Sequence, residues 1–231
     1  MSKRLSSALF LVVFTLLLAG CDSQEKSTAP DADKTKASDK TWRDSFNVDL
    51  KNLSSAGRNK YWILEPGYQL VLEGKDKKTQ LTVTVLDETK IIEGIETRVV
   101  EEKETSDGKV KEASKNYFAM DKTTNDLYYF GEDVGGAWLH GKDGARFGLM
   151  MPGNPKVGDK FYQEIAPKVA MDRARIASLT ETITTPAGKF EGCMKSEEGS
   201  ALESGKAYKY YAPGVGLVQE GDLKLVKFGK K

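Results

Sequence analysis

The sequence predicts an all-β domain of antiparallel strands, arranged in two similar meander halves that form one sandwich or barrel. Three observations carry this. Short runs alternate apolar and polar residues, as in Leu81, Val83 and Val85 against Thr82 and Thr84, which is the period-two pattern of a half-buried strand. Polar turn signals separate the runs at close spacing, and Asp107-Gly108 is the strongest of them. Two segments also recur at one offset. Leu86-Asp87-Glu88-Thr89 returns as Leu179-Thr180-Glu181-Thr182, and Tyr117-Phe118-Ala119 returns as Tyr210-Tyr211-Ala212, both 93 residues on.

The elements follow in order. Residues 68–73 form the first clear strand, ended by the polar run 74–78. Strands over 80–86 and 94–100 follow, then the turn at Asp107-Gly108 and a return over 109–120. Thr124-Asn125-Asp126 turns again into a strand at 127–130. Residues 42–58 leave room for one short helix. The halves run over about 61–131 and 156–228, within a single domain spanning 42–231. Residues 131–155 break the strand pattern and read as a glycine-rich insertion. Either half alone would expose edge strands and a wet apolar face. Joining the two buries both faces.

The first twenty residues are different in kind. Lys3 and Arg4 precede a mostly apolar run over 5–18, then the small residues Ala19 and Gly20, then Cys21. That run is shorter than the roughly 18 apolar residues of a spanning helix. Leu18-Ala19-Gly20-Cys21 resembles a lipobox, the processing site of bacterial lipoproteins. The resemblance implies a signal peptide over 1–20, cleavage between Gly20 and Cys21, and diacylglyceryl and palmitate-type acyl chains on Cys21. Each buried methylene contributes about 0.8 kcal/mol, so two or more chains anchor firmly. Asp22 resembles the signal that retains such proteins in the inner membrane of enteric-type bacteria; it favours that membrane and leaves the outer one open. Residues 22–41 contain no large apolar side chain, which makes a flexible tether a few nanometres long.

Charge and composition exclude several function classes. The chain carries 35 basic and 34 acidic residues. Losing Lys3 and Arg4 leaves one net negative charge, so no nucleic-acid partner is expected. There is one histidine, His140, which excludes multi-histidine zinc sites and weakens any catalytic triad. With Cys21 taken by lipid, Cys193 has no disulfide partner and reads as a small buried hydrophobe.

Candidate sites follow from the same reading. Trp138, His140, Met150 and Met151, on the glycine-rich segment, form the candidate surface for a ligand or partner. His140, the two methionines and Cys193 would suit copper(I), but the methionines lack the usual spacing. No metal, cofactor or catalytic residue is therefore expected. Tyr128, Tyr129, Tyr208, Tyr210 and Tyr211 could line an aromatic cavity or simply fill the core. The pairs Glu101-Glu102 and Glu197-Glu198 look like exposed strand ends. Strand neighbours point to opposite faces, so neither pair makes an acid/base couple. The segment 121–126 lacks the glycine and terminal glutamate of a calcium loop. Gly214-Val215-Gly216 has no helix after it and is no phosphate loop.

Residues 210–218, together with Leu86-Asp87-Glu88-Thr89 and Met151-Pro152-Gly153-Asn154-Pro155, look like a group of bacterial exported β-proteins of unassigned function. The resemblance spans about residues 61–221 and implies an all-β fold without supplying an activity. The expectation is a lipid-anchored, periplasm-facing envelope protein that acts as a non-enzymatic binding or interaction module. Its partner would be an envelope protein or an apolar ligand. The alternative is a lipocalin-like carrier of an apolar molecule, and then a soft-metal protein or a hydrolase.

Overall fold

The computed structural model describes residues 41–134 and 137–231. Gly20, Cys21 and Asp22, and with them the leader and tether, lie outside the described residues. In chain order the strands are β1 (Leu53–Ser54), β2 (Gly57–Asn59), β3 (Trp62–Leu64), β4 (Tyr68–Glu73), β5 (Thr79–Ile92), β6 (Ile95–Ser106), β7 (Lys109–Asp121), β8 (Leu127–Glu132) and β9 (Trp138–Leu139). They continue as β10 (Arg146–Met151), β11 (Lys160–Tyr162), β12 (Glu164–Ile165), β13 (Asp172–Thr185), β14 (Gly188–Ser200), β15 (Ala207–Ala212), β16 (Gly216–Glu220) and β17 (Leu223–Lys230). A single 3-10 turn at Leu50–Asn52 stands where a short helix was expected.

All the strand pairings are antiparallel, and they form a nearly closed barrel. The first meander is β4-β5-β6-β7-β8-β10, and the second is β11-β13-β14-β15-β16-β17. The hairpins are set by local chemistry. Ile92 pairs Ile95 across Glu93-Gly94, and Ser106 pairs Lys109 across Asp107-Gly108. All four turn residues have positive φ, as a two-residue turn that matches strand twist requires.

The two meanders meet twice. β17 runs along β4 from the Lys224–Glu73 pair to the Lys230–Tyr68 pair. The other join is short: β10 meets β12 only at Arg146–Ile165 and Phe147–Glu164. β12 continues β11, which pairs β13 on its other side, and the Gln163 N–H bonds the Asp172 carbonyl at 2.8 Å. One six-residue segment, 160–165, therefore closes the barrel. Gly148 lies so close to the backbone of Gln163 and Glu164 that a Cβ would collide with it.

β5 and β13 span 79–92 and 172–185, 93 residues apart at both ends. Both ladders shift register beyond equivalent points, after Val85 and after Ser178. Leu86 and Leu179 fall in these irregular stretches. They are half-buried against the core rather than fully buried, because a bulge turns its residues off the core face. Phe118 and Tyr211, 93 residues apart in the repeated segments, are both buried. Residues 131–155 hold β9 and β10, so this segment supplies the last strand of the first meander rather than standing outside it.

The β2–β3 hairpin closes one end of the barrel. The Asn59 side-chain amide donates to the carbonyls of Asn125 and Pro152 at 2.8 and 2.9 Å. The Tyr61 hydroxyl donates to the Gly192 carbonyl at 3.2 Å. Trp62 sits between the meanders, with its ring 5.4 Å from Phe118 and 6.4 Å from Tyr211. Above this aromatic floor the barrel has a lumen.

Candidate functional site: an acid-lined lumen and its outer cleft

The lumen changes character along its length because successive inward residues of the same strands change type. On β6 the inward row passes from buried Val100 to Glu102; on β7 it passes from Phe118 through Asn116 and Ser114 to Glu112. Near the hairpin the walls are apolar, with Leu70, Val83, Val85 and Leu217 around Trp62. Towards the opposite end they carry Glu102, Glu112, Glu132, Glu164, Asp172 and Glu198, with Lys209 the one basic side chain on this wall. Cavities of about 30 and 80 Å³ remain, one beside each wall type. Each has room for a few water molecules.

The lysine serves one half. Lys209 Nζ lies 3.2 Å from Glu198 and 3.5 Å from Glu220. Burial pulls its pKa down, but these two carboxylates overcome that and hold it well above the usual lysine range. In the ladder, Lys209 stands opposite Ser196 on one side and Glu220 on the other. On the first meander, neutral Ser114 faces Glu102 and neutral Asn116 faces Glu132. Neither has a basic partner across the ladder, and Glu102 feels Lys209 only from the other meander. Burial first, and neighbouring carboxylates second, push Glu132 up to about 8. Glu102 is pushed up to about 7 by burial, against the pull of Lys209. Asp172 rises to about 6 and Glu164 is raised well above the ordinary carboxyl range, in both cases chiefly through burial. Glu164 accepts a hydrogen bond from the Trp138 indole at 2.8 Å, and the Tyr129 hydroxyl donates to Asn116 at 2.5 Å.

Outside this end lies a cleft of about 310 Å³, between residues 137–145 and the 166–169 turn. Lys90, Asp133, Leu139, Lys142 and Pro167 line it, and Glu132 and Trp138 belong to its wall as well. Glu132 also lines the lumen, and Trp138 bonds the luminal Glu164, so the two features adjoin.

The structure separates the four residues expected to share a surface. Trp138 is buried between cleft and lumen. The His140 ring packs 5.6 Å from Phe130 and 5.0 Å from Phe147, and burial lowers its pKa. Met150 faces the lumen, where its sulfur accepts from Gln163 at 3.6 Å, and Met151 is core. Among the described residues no group of three or more His, Cys, Asp or Glu side chains could hold a metal ion. Cys193 is buried, with its thiol pushed up by burial. Of the tyrosines, Tyr129 and Tyr211 reach the lumen, Tyr128 packs against Phe46 and Phe147, and Tyr208 is exposed. Glu102 and Glu198, read from the sequence as exposed strand ends, line the lumen instead. The usable signal was the alternation Val100, Glu102, Glu104: one face running from apolar to acidic within one strand.

No family model matches the chain, and no curated protein matches it. Among solved structures it is similar to a protein described as exported, with a YmcC-like fold, from Bacteroides fragilis NCTC 9343. The TM-score is 0.40 at 17% identity, covering 72% of this chain and 97% of that one. It is also similar to a protein described as a lipoprotein from Parabacteroides distasonis ATCC 8503. Here the TM-score is 0.42 at 16% identity, covering 75% of this chain and 100% of that one. Neither likeness brings an activity or a ligand to this chain.

Proposed function

We propose that this is a lipid-anchored, periplasm-facing envelope protein that binds rather than catalyses, and that it binds at the cleft outside the acidic end of the barrel. The observation that carries this is the cleft of about 310 Å³. Its size reaches the lower bound of small-molecule sites. It offers an apolar wall in Leu139, Ala145 and Pro167 and charges of both signs in Lys90, Lys142 and Asp133. That mixture suits a peptide segment of an envelope protein or a small amphipathic molecule. The luminal cavities, about 30 and 80 Å³, fall well short of the roughly 300 Å³ of a small-molecule site, which disfavours a lipocalin-like cargo there. The anchor rests on Leu18-Ala19-Gly20-Cys21, and retention in the inner membrane rests on Asp22.

Two experiments in whole cells test this. Cys21→Ser is expected to leave uncleaved, unlabelled precursor; normal maturation of that variant contradicts the anchor. A photo-crosslinking amino acid at Leu139 or Lys142 is expected to give discrete adducts, with none from the same group at Val110, which is exposed near the start of β7. Equal labelling at all three positions, or none at the cleft, contradicts the site.

A further inference from the structure

The barrel is closed by its weakest join, and that join carries its most crowded carboxyls. Segment 160–165 holds β10 through two adjacent pairs, whereas β17 and β4 run together along their lengths. The outer edge of β11 is covered by the start of the described chain: Arg43 bonds the Lys160 carbonyl at 3.1 Å and accepts from the Tyr162 N–H at 2.9 Å. Arg146 of β10 reaches the Asp44 carbonyl at 3.2 Å. On the inner side, Glu164 belongs to the closing segment itself and is 4% exposed.

The groups facing Glu164 come from every neighbouring element. Asp172 on β13 and Glu132 on β8 are the charged groups that act on it most strongly. Glu112 on β7, Glu102 on β6 and Glu198 on β14 share the same wall, with Tyr129 on β8 and Trp138 on β9 as uncharged donors. Lys209 on β15 is the cation of this wall, and its ammonium is held by Glu198 and Glu220. One oxygen of Asp172 is buried without a hydrogen-bond partner. Two buried carboxylates side by side repel strongly, and ionising either one costs its desolvation as well.

We infer that segment 160–165 is a proton-controlled door to the lumen, shut while the carboxyls around Glu164 are neutral and loosened when they ionise. The direction follows from the sign of the shifts. Glu164, Asp172, Glu132 and Glu102 all rise above their ordinary values. The closed form therefore binds more protons than the open one. Closure is fully stabilised below the ordinary carboxyl range and is lost as pH climbs through about 6 to 8. The long β17–β4 join buries Leu70, Leu72 and Leu225 rather than carboxyls of its own, so the effect is strongest on the side of segment 160–165. This inference needs no ligand and stands apart from the proposed cleft.

Hydrogen exchange on the full-length protein in detergent micelles tests it, with rates corrected for intrinsic pH dependence. Between about pH 5.5 and 8.5, protection over 158–166 is expected to fall about tenfold or more, since one pKa unit is tenfold. Protection across 68–73 and 223–230 is expected to hold. Glu164→Gln should keep the segment protected at the higher pH; if that variant does not fold, Asp172→Asn should flatten the profile in its place. Constant protection over 158–166, or equal loss in every strand, overturns the inference.

Discussion

Lys209→Met is expected to be among the most destabilising single changes in the domain, at about 3–5 kcal/mol near pH 8, the usual result of breaking a buried ion pair from one side. Lys209 is 12% exposed and is shared by Glu198 and Glu220, which are 9% and 13% exposed. Methionine keeps the length of the side chain and removes its charge. The two carboxylates would then face Glu102 and each other with no cation between them. The loss should shrink as pH falls, because Glu220 is already raised, by burial first, and protonation removes the repulsion. Denaturant unfolding of wild type and variant at about pH 5 and pH 8 reads both effects. A penalty that is the same at both values would mean that Lys209 acts through packing alone.

Phe118→Ala is expected to cost about 3–5 kcal/mol, the range for a buried aromatic truncated to alanine. Phe118 is 2% exposed, stacks on Tyr129 with ring centroids 4.8 Å apart, and meets Trp62 of the closing hairpin at 5.4 Å. The change removes the contact that ties the floor to the wall, so Trp62 emission should shift to the red along with the loss of stability. A loss below about 1 kcal/mol, with unchanged emission, would mean that the hairpin collapses into the gap.

Most of the fold was legible because the outer and inner faces of each strand differ in polarity. Tyr68–Glu73 is where the alternation placed it, and Asp107-Gly108 turns with the two positive φ values that its residues favour. The offset of 93 holds for the bounds of β5 and β13. The closure was not legible. β11 and β12 are too short to show a period, and nothing local tells that one six-residue segment must satisfy two neighbours. The expected short helix failed because residues 53–59 pair as β1 and β2. Glycines misled the reading of 131–155. Gly148 is there for a close backbone approach within a strand rather than for a loop. The acidic lumen was missed for a related reason: Glu101-Glu102 looks like a solvated pair until the barrel puts its second member inside.

The door and the balancing role of Lys209 both rest on the luminal carboxyls keeping their protons well above the ordinary carboxyl range. Carboxyl carbon shifts in a ¹³C NMR titration, assigned with Glu132→Gln and Glu102→Gln, measure this directly. Glu132 is predicted to titrate near about 8, Glu102 near about 7 and Asp172 near about 6, while exposed carboxyls elsewhere titrate at about 4. If all three titrate with the exposed carboxyls at about 4, the lumen is wetted like the surface, and neither the balancing role of Lys209 nor the door survives.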